Sequence, residues 1–242
     1  LAPSHRAYLE NRCCVPSASA FETPLGRVRV DTESVARLLK SPLFCADDRI
    51  QREEHAAQIE LPLLQEMLQG DFAVLPLIVG CCSAETLKAV AAELKSLTGK
   101  GTLLVASSDF THYGAAYGYV PFREPIRENL KKLDFGAFDR IEEKNPERFR
   151  AYIEKTGATI CGAQPIELLL RLLPENVECS LEAYYTSGDV TGDFSSSVSY
   201  LSASFHTVRK TEGDGETLTG TDRKLLLELA RATIARKFHP DT

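Results

Sequence analysis

Residues 72–112 read FAVLPLIVGCCSAETLKAVAAELKSLTGKGTLLVASSDFTH. Phe72–Val79 is a continuous apolar run of strand length, the pattern of a strand buried on both faces. Ser83 follows as a helix cap with Glu85 in the first turn, and Leu87, Val90, Ala91 and Leu94 recur at helical spacing. Gly101–Ala106 then predicts a second buried strand, ending at Ser107-Ser108-Asp109. Strand, helix and strand in this order place the chain in the α/β class.

The flanking sequence continues the alternation. Thr32–Lys40 predicts a short helix with Val35, Leu38 and Leu39 on one face. Glu53–Leu68 predicts a longer one, with Ile59, Leu63 and Leu64 inward and a bend at Pro62. Phe122–Lys155 is strongly charged, yet its apolar residues keep helical spacing. Gly162–Leu173 predicts another helix, and Leu181–Tyr185 and Ser197–Phe205 the last two strands. The composition then changes. Residues 210–219, KTEGDGETLT, suit a linker. Thr221 could cap a helix whose Leu225, Leu226, Leu229, Ala230 and Ile234 form an apolar stripe that it cannot bury alone.

Composition excludes several classes. The chain has 242 residues, 43% apolar and 26% charged, with a net charge of −6. That balance argues against a general nucleic-acid binder, which needs a basic face. The longest apolar stretch, Phe72–Cys82, is about half of the roughly 20 residues a membrane helix needs. No signal-peptide pattern is visible. The chain opens Leu-Ala-Pro-Ser-His in what reads as the end of a strand, so a cut N-terminus is expected. Seven cysteines, with no C-x-x-C spacing, argue for free thiols in a reducing cytoplasm.

Four places combine reactive side chains with the loop after a strand, where open α/β sheets carry their sites. His5 could ligate a metal or serve as acid and base, or be a surface or hydrogen-bonding histidine. Asp109 and His112 could share one cleft, the carboxylate orienting the imidazole, or be a cap and an exposed ring. Cys161, at a helix N-terminus, is expected to have a lowered pKa and so to attack or bind metal as thiolate; its alternative is a buried structural thiol. Glu54 and His55 pair a carboxylate with an imidazole near a helix start, or simply cap it. Ser195–Ser197 could donate to a polar ligand, or form a turn. The dinucleotide and P-loop glycine motifs, His-Glu-x-x-His and Gly-x-Ser-x-Gly are all missing from the sequence.

Six segments in order carry a resemblance. They are Leu1–His5 (LAPSH), Thr23–Gly26 (TPLG), Glu54-His55 with Ile59–Pro62 (IELP), Ser107–His112 (SSDFTH), Ile160–Gly162 (ICG) with Pro165-Ile166, and Ser196–Tyr200 (SSVSY). Together, across about residues 1–207, they resemble the Memo family, the B component of the AmmeMemoRadiSam set. The resemblance implies a fold like that of class III extradiol dioxygenases, an α/β sandwich around a central mixed sheet, N-terminally truncated here. It implies a metal cluster of two histidines and a cysteine, with His5 and Cys161 matching two of the three. Asp109 and His112 match residues lining the same cleft, for proton transfer or ligand contact, with Glu54 and His55 as further candidates. The other histidine belongs to a Pro-His-Ala-Gly motif upstream, absent from this sequence.

The tail from Leu218 resembles the opening helix of an Ammecr-type domain, the A component of the same set. The expected organisation is a Memo-like domain over 1–209 lacking its N-terminal part, a linker over 210–220 and the start of an Ammecr-type domain over 221–242. The leading functional expectation is a cytoplasmic, metal-dependent, dioxygenase-like redox enzyme, with copper, iron or zinc as the ion. The alternative is a non-enzymatic cleft that binds a peptide or carries copper as an adaptor. A third reading is action on an unknown small molecule with a radical SAM protein as partner. Neither nucleic acid nor membrane is an expected partner.

Overall fold

The computed structural model describes residues 1–68 and 70–207. In chain order its elements are β1 (Ala2–Pro3), β2 (Cys13–Val15), β3 (Ala20–Thr23), β4 (Gly26–Val30), α1 (Thr32–Leu38), β5 (Phe44–Ala46), α2 (Asp48–Glu53), α3 (His55–Gln58), α4 (Glu60–Met67), β6 (Ala73–Val74), β7 (Ile78–Val79), α5 (Ala84–Leu94), β8 (His112–Gly114), a 3-10 turn (Ala115–Tyr117), α6 (Ile126–Glu142), α7 (Pro146–Thr156), α8 (Ala163–Leu172), β9 (Val177–Thr186), α9 (Ser187–Thr191) and β10 (Ser196–Thr207). A mixed sheet of order β1-β7-β2-β5 stands beside two three-stranded sheets, β8-β10-β9 and β3-β4-β6. The fold is mixed α/β. The expected linker and the helix after Thr221 lie outside the described residues.

Helix α5 follows the sequence closely. Ser83 accepts from the Thr86 N–H as its cap, and Leu87, Val90, Ala91 and Leu94 are all buried. They share a core with Cys13, Val15, Leu77 and Val79 of the mixed sheet and its approach. A second core joins Phe138 and Ile141 of α6, Phe149 of α7, and Ile160. Helix α8 serves both, with Leu168 and Leu172 in the first and Ile166 and Leu170 in the second. A helix buried on nearly every face is held from all sides, and Cys161 stands just before its first turn.

Three expectations fail. Glu53–Leu68 is not one helix bent at Pro62. Extended Glu54 caps α3, the run divides again at Ile59, and Pro62 sits in the first turn of α4. An N–H there has no acceptor within the helix, so proline fits without a bend. Ile59 and Leu63, expected inward, are exposed, and Leu61 is buried.

Phe72–Val79 is likewise two short strands, β6 and β7, separated at Leu75-Pro76-Leu77. Proline cannot donate to a ladder.

Gly101–Ala106 forms no strand. The Leu1 nitrogen donates to Val105 O (2.7 Å) and the Ser107 N–H donates to Leu1 O (2.9 Å), a single parallel step beside β1. Further on, the Phe110 N–H donates to Ser199 O (2.8 Å) and the Ser199 N–H to Thr111 O (3.0 Å), a step beside β10. Residues 99–108 line a cavity of about 1290 Å³ with Leu201–Phe205 and Thr207 of β10 and with Ile166 and Leu169 of α8. A strand exists through its ladder, and among the described residues Gly101–Ala106 takes part in just the one step beside β1.

Candidate functional site

The backbone brings two chemical groups to one edge. Strand β1 runs parallel to β7, with Pro3 opposite Val79. Its step with residues 105–107 has the same parallel sense. His5 therefore follows the carboxyl end of β1, and Asp109 follows the carboxyl end of the segment beside it. Sites of open α/β sheets form there.

The first group is His5, Glu54 and His55. The Glu54 side chain is 1% exposed, because the break between α2 and α3 turns it inward. One carboxylate oxygen accepts from the His5 backbone N–H (2.6 Å). The other faces His5 Nδ1 (2.8 Å) and accepts from the Ala56 N–H (3.3 Å). Burial alone would push the Glu54 carboxyl up, but the hydrogen bonds from His5 and Ala56 outweigh it and hold the group below the usual glutamate range. The His55 ring stacks on His5, with centroids 5.4 Å apart and planes 16° apart, and its Nδ1 is 3.7 Å from Glu54.

The second group is Cys161, Asp109 and His112. Gly162 makes it possible: a Cβ there would meet the Ser108 side chain at 2.4 Å. This close approach lets the Gly162 N–H donate to Ser108 Oγ (2.9 Å) and the Asp109 N–H donate to Cys161 Sγ (3.2 Å). The thiol does not meet the expectation of a lowered pKa. Burial pushes it up, helped by the Asp109 carboxylate, and the N–H donors offset this only in part. Desolvation outweighs the helix end here.

Nor does Asp109 hold His112 by a hydrogen bond, as expected. His112 Nδ1 lies 2.9 Å from the Thr159 carbonyl, and the His112 backbone N–H donates to Thr159 Oγ1 (2.9 Å). A carbonyl only accepts, so Nδ1 carries the proton, and Nε2 faces Asp109 Oδ2 at 3.7 Å, beyond hydrogen-bond reach. Beneath this loop, buried Asp134 of α6 accepts from Thr111 Oγ1 (2.6 Å) and from the Tyr184 hydroxyl (2.9 Å). Burial pushes its carboxyl up, against those hydrogen bonds.

His5, Glu54 and His55 are the one group of metal-ligand side chains, among the described residues, whose ligand atoms all lie within 4.8 Å of one another. Their nitrogen and oxygen donors fit zinc, copper or iron in kind. Cys161, expected to join His5 around a metal, stands outside this group and bonds to Ser108 and Asp109. Two of the three serines around the start of β10 are spent on the protein itself: Ser195 Oγ donates to Asp193, and Ser197 Oγ accepts from the Gly188 N–H. Sequence reasoning missed Thr159 as the anchor of His112. It also missed Tyr117, whose exposed ring meets His112 edge-on at 5.2 Å, and the Tyr185–Tyr200 contact at 5.1 Å. No spacing in the sequence announces these partners. Among the described residues, no helix is long and apolar enough to cross a membrane.

Comparison with known proteins covers the same stretch of chain. The family described as Memo-like protein matches residues 1–204. A MEMO1 family protein of Methanosarcina mazei is 32% identical over 190 residues, covering 76% of this chain and 66% of that protein. Protein MEMO1 of Homo sapiens is 31% identical over 215 residues, covering 83% of this chain and 72% of that protein. The chain thus spans about two thirds of the length of the archaeal relative. With the match running from the His5 loop through Cys161 to β10, the chain belongs to the Memo-like protein family.

Proposed function

We propose that the edge carrying His5 and Asp109 is a metal-dependent redox site of dioxygenase-like character. His5 and Cys161 are the proposed ligands, with His55 as a further imidazole within the His5 group. Asp109 and His112 are the groups that move a proton or hold the ligand. One observation carries this reading: at one edge, His5 and His112 both engage Nδ1 with the protein, which leaves Nε2 of each ring for a ligand or a proton. A bound ion would supply Lewis acidity and, if it were copper or iron, a redox couple. The rest falls to the chain. His112 Nε2 can take a proton from a bound hydroxyl, and Asp109 can stabilise the imidazolium that results. The exposed ring of Tyr117 offers an apolar face to an organic ligand beside them.

Elemental analysis of the full chain tests this, after anaerobic reconstitution with Cu(I), Fe(II) or Zn(II). Near-stoichiometric retention of copper or iron is expected, with loss in His5→Ala and in Cys161→Ser; retention of zinc alone would leave a metal site without the redox role. Retention by both variants would remove these residues as ligands. If the native chain holds none of the three ions, the redox reading fails and a metal-free, peptide-binding cleft becomes the better account.

A further inference from the structure

Glu54 is a carboxylate almost wholly withdrawn from water, and such a group is costly unless its lone pairs are engaged. Here three N–H groups face its two oxygens. Two of them belong to His5, the backbone N–H at 2.6 Å and the ring Nδ1 at 2.8 Å. The third is the Ala56 N–H at 3.3 Å. The main chain and the ring of one residue are thus gripped by one carboxylate that lies 49 positions away in sequence. A carboxylate facing N–H donors accepts and does not donate, so His5 Nδ1 must carry the hydrogen. Nε2 is then the ring nitrogen with the free lone pair.

The same geometry argues against Glu54 as a ligand. A tetrahedral ion with bonds of about 2.0–2.1 Å needs its donor atoms roughly 3.3 Å apart. His5 Nδ1 and the Glu54 carboxylate stand 2.8 Å apart, a hydrogen-bonded separation closer than two ligands of one such ion keep. For Glu54 to close on an ion, it would have to release His5. His55 is freer to move: its ring is exposed, and its Nδ1 at 3.7 Å makes no hydrogen bond to Glu54.

We infer that Glu54 is a positioning residue, not a ligand, which locks His5 in the Nδ1–H tautomer and presents Nε2 to a metal ion. This rests on the metal-site reading above, and deepens it. A carboxylate behind a histidine ligand fixes ring orientation and raises ligand basicity. Glu54 acts through His5 and touches no reacting atom.

The test uses the full chain, metal-free, at a pH of about 8, where an ordinary imidazole is neutral. Long-range proton–nitrogen correlation NMR reports which His5 nitrogen is protonated, with His5→Gln used for assignment. The native chain is expected to show the Nδ1–H form. Glu54→Gln keeps the shape but can also donate from its amide, so the preference should weaken or reverse. Zn(II) affinity, read by competition with a chromophoric chelator, should fall roughly 10- to 100-fold. Glu54→Asp retains the charge and should recover part of both effects. Far-UV circular dichroism confirms that each variant is folded. An Nε2–H form in the native chain would overturn the inference. So would a Glu54→Gln protein that keeps both the Nδ1–H form and native Zn(II) affinity. If the native chain binds no Zn(II) but shows an Nδ1–H form that Glu54→Gln loses, the positioning role stands and the metal reading falls.

Discussion

Replacing Gly162 with alanine should loosen the second group at its tightest point. The strain would come from space, since the backbone of Gly162 lies at φ −90° and ψ 24°, which other residues adopt. The new Cβ would lie 2.4 Å from Ser108 Cβ, 2.5 Å from Ser108 Oγ and 2.7 Å from the Ser107 carbonyl. A rotation of Ser108 relieves only the Oγ contact. The other two require the backbone of 107–108 to move away from the start of α8, which both cores hold in place. Overpacking of this kind costs about 1–3 kcal/mol. Losing the bond from the Gly162 N–H to Ser108 Oγ adds roughly 0.5–1.5 kcal/mol. The sum, about 1.5–4.5 kcal/mol, lowers the melting temperature of a folded unit this size by roughly 3–18 °C. Calorimetry measures that shift. The same movement pulls the Asp109 N–H off Cys161 Sγ, so labelling of Cys161 by a thiol reagent, read by peptide mass, should quicken. A variant melting within about 1 °C of the native chain would show that the close approach does not constrain the loop.

Asp134 gives a pH signature. Its folded pKa lies above the ordinary aspartate value, so between those two values the folded chain keeps a proton that the unfolded chain has lost. Its contribution to stability is therefore present at low pH and lost as the pH rises through the folded pKa. Urea unfolding across a pH series should show native stability falling relative to Asp134→Asn through that window; parallel curves would refute the shift. Thiol labelling of the native chain at neutral pH should reach exposed Cys81 first, with Cys161 following only as the pH climbs past the ordinary thiol value. Cys161 reacting first would show that its thiol is activated after all.

Much of the fold was legible where contacts are local. The Ser83 cap and the apolar positions of α5 lie within one helix, and periodicity finds them. The break at Glu54 was not legible, because it depends on His5, far away in sequence. Periodicity also ran α3 and α4 together across Ile59 and turned Ile59 and Leu63 the wrong way. Gly101–Ala106 has the composition of a strand, but composition does not supply a neighbour to pair with. The site divides in the same way. Residue type and position picked out His5, Glu54, Asp109, His112 and Cys161 as candidates. Their roles depended on what each atom faces: the Thr159 carbonyl behind His112, and the burial that overrode the helix end at Cys161.

The parallel step between Leu1 and Val105 carries a consequence for synthesis. The two residues are 104 positions apart, and the residues between them leave the ribosome after Leu1 does. At about 5–20 residues per second, Leu1 waits roughly 5–20 s before Val105 exists to accept its bond. For much of that interval β1 also lacks β7, its other neighbour, until the chain has reached Val79. A nascent chain therefore leaves the strand that leads to His5 without these two neighbours while a large part of the domain is still being made.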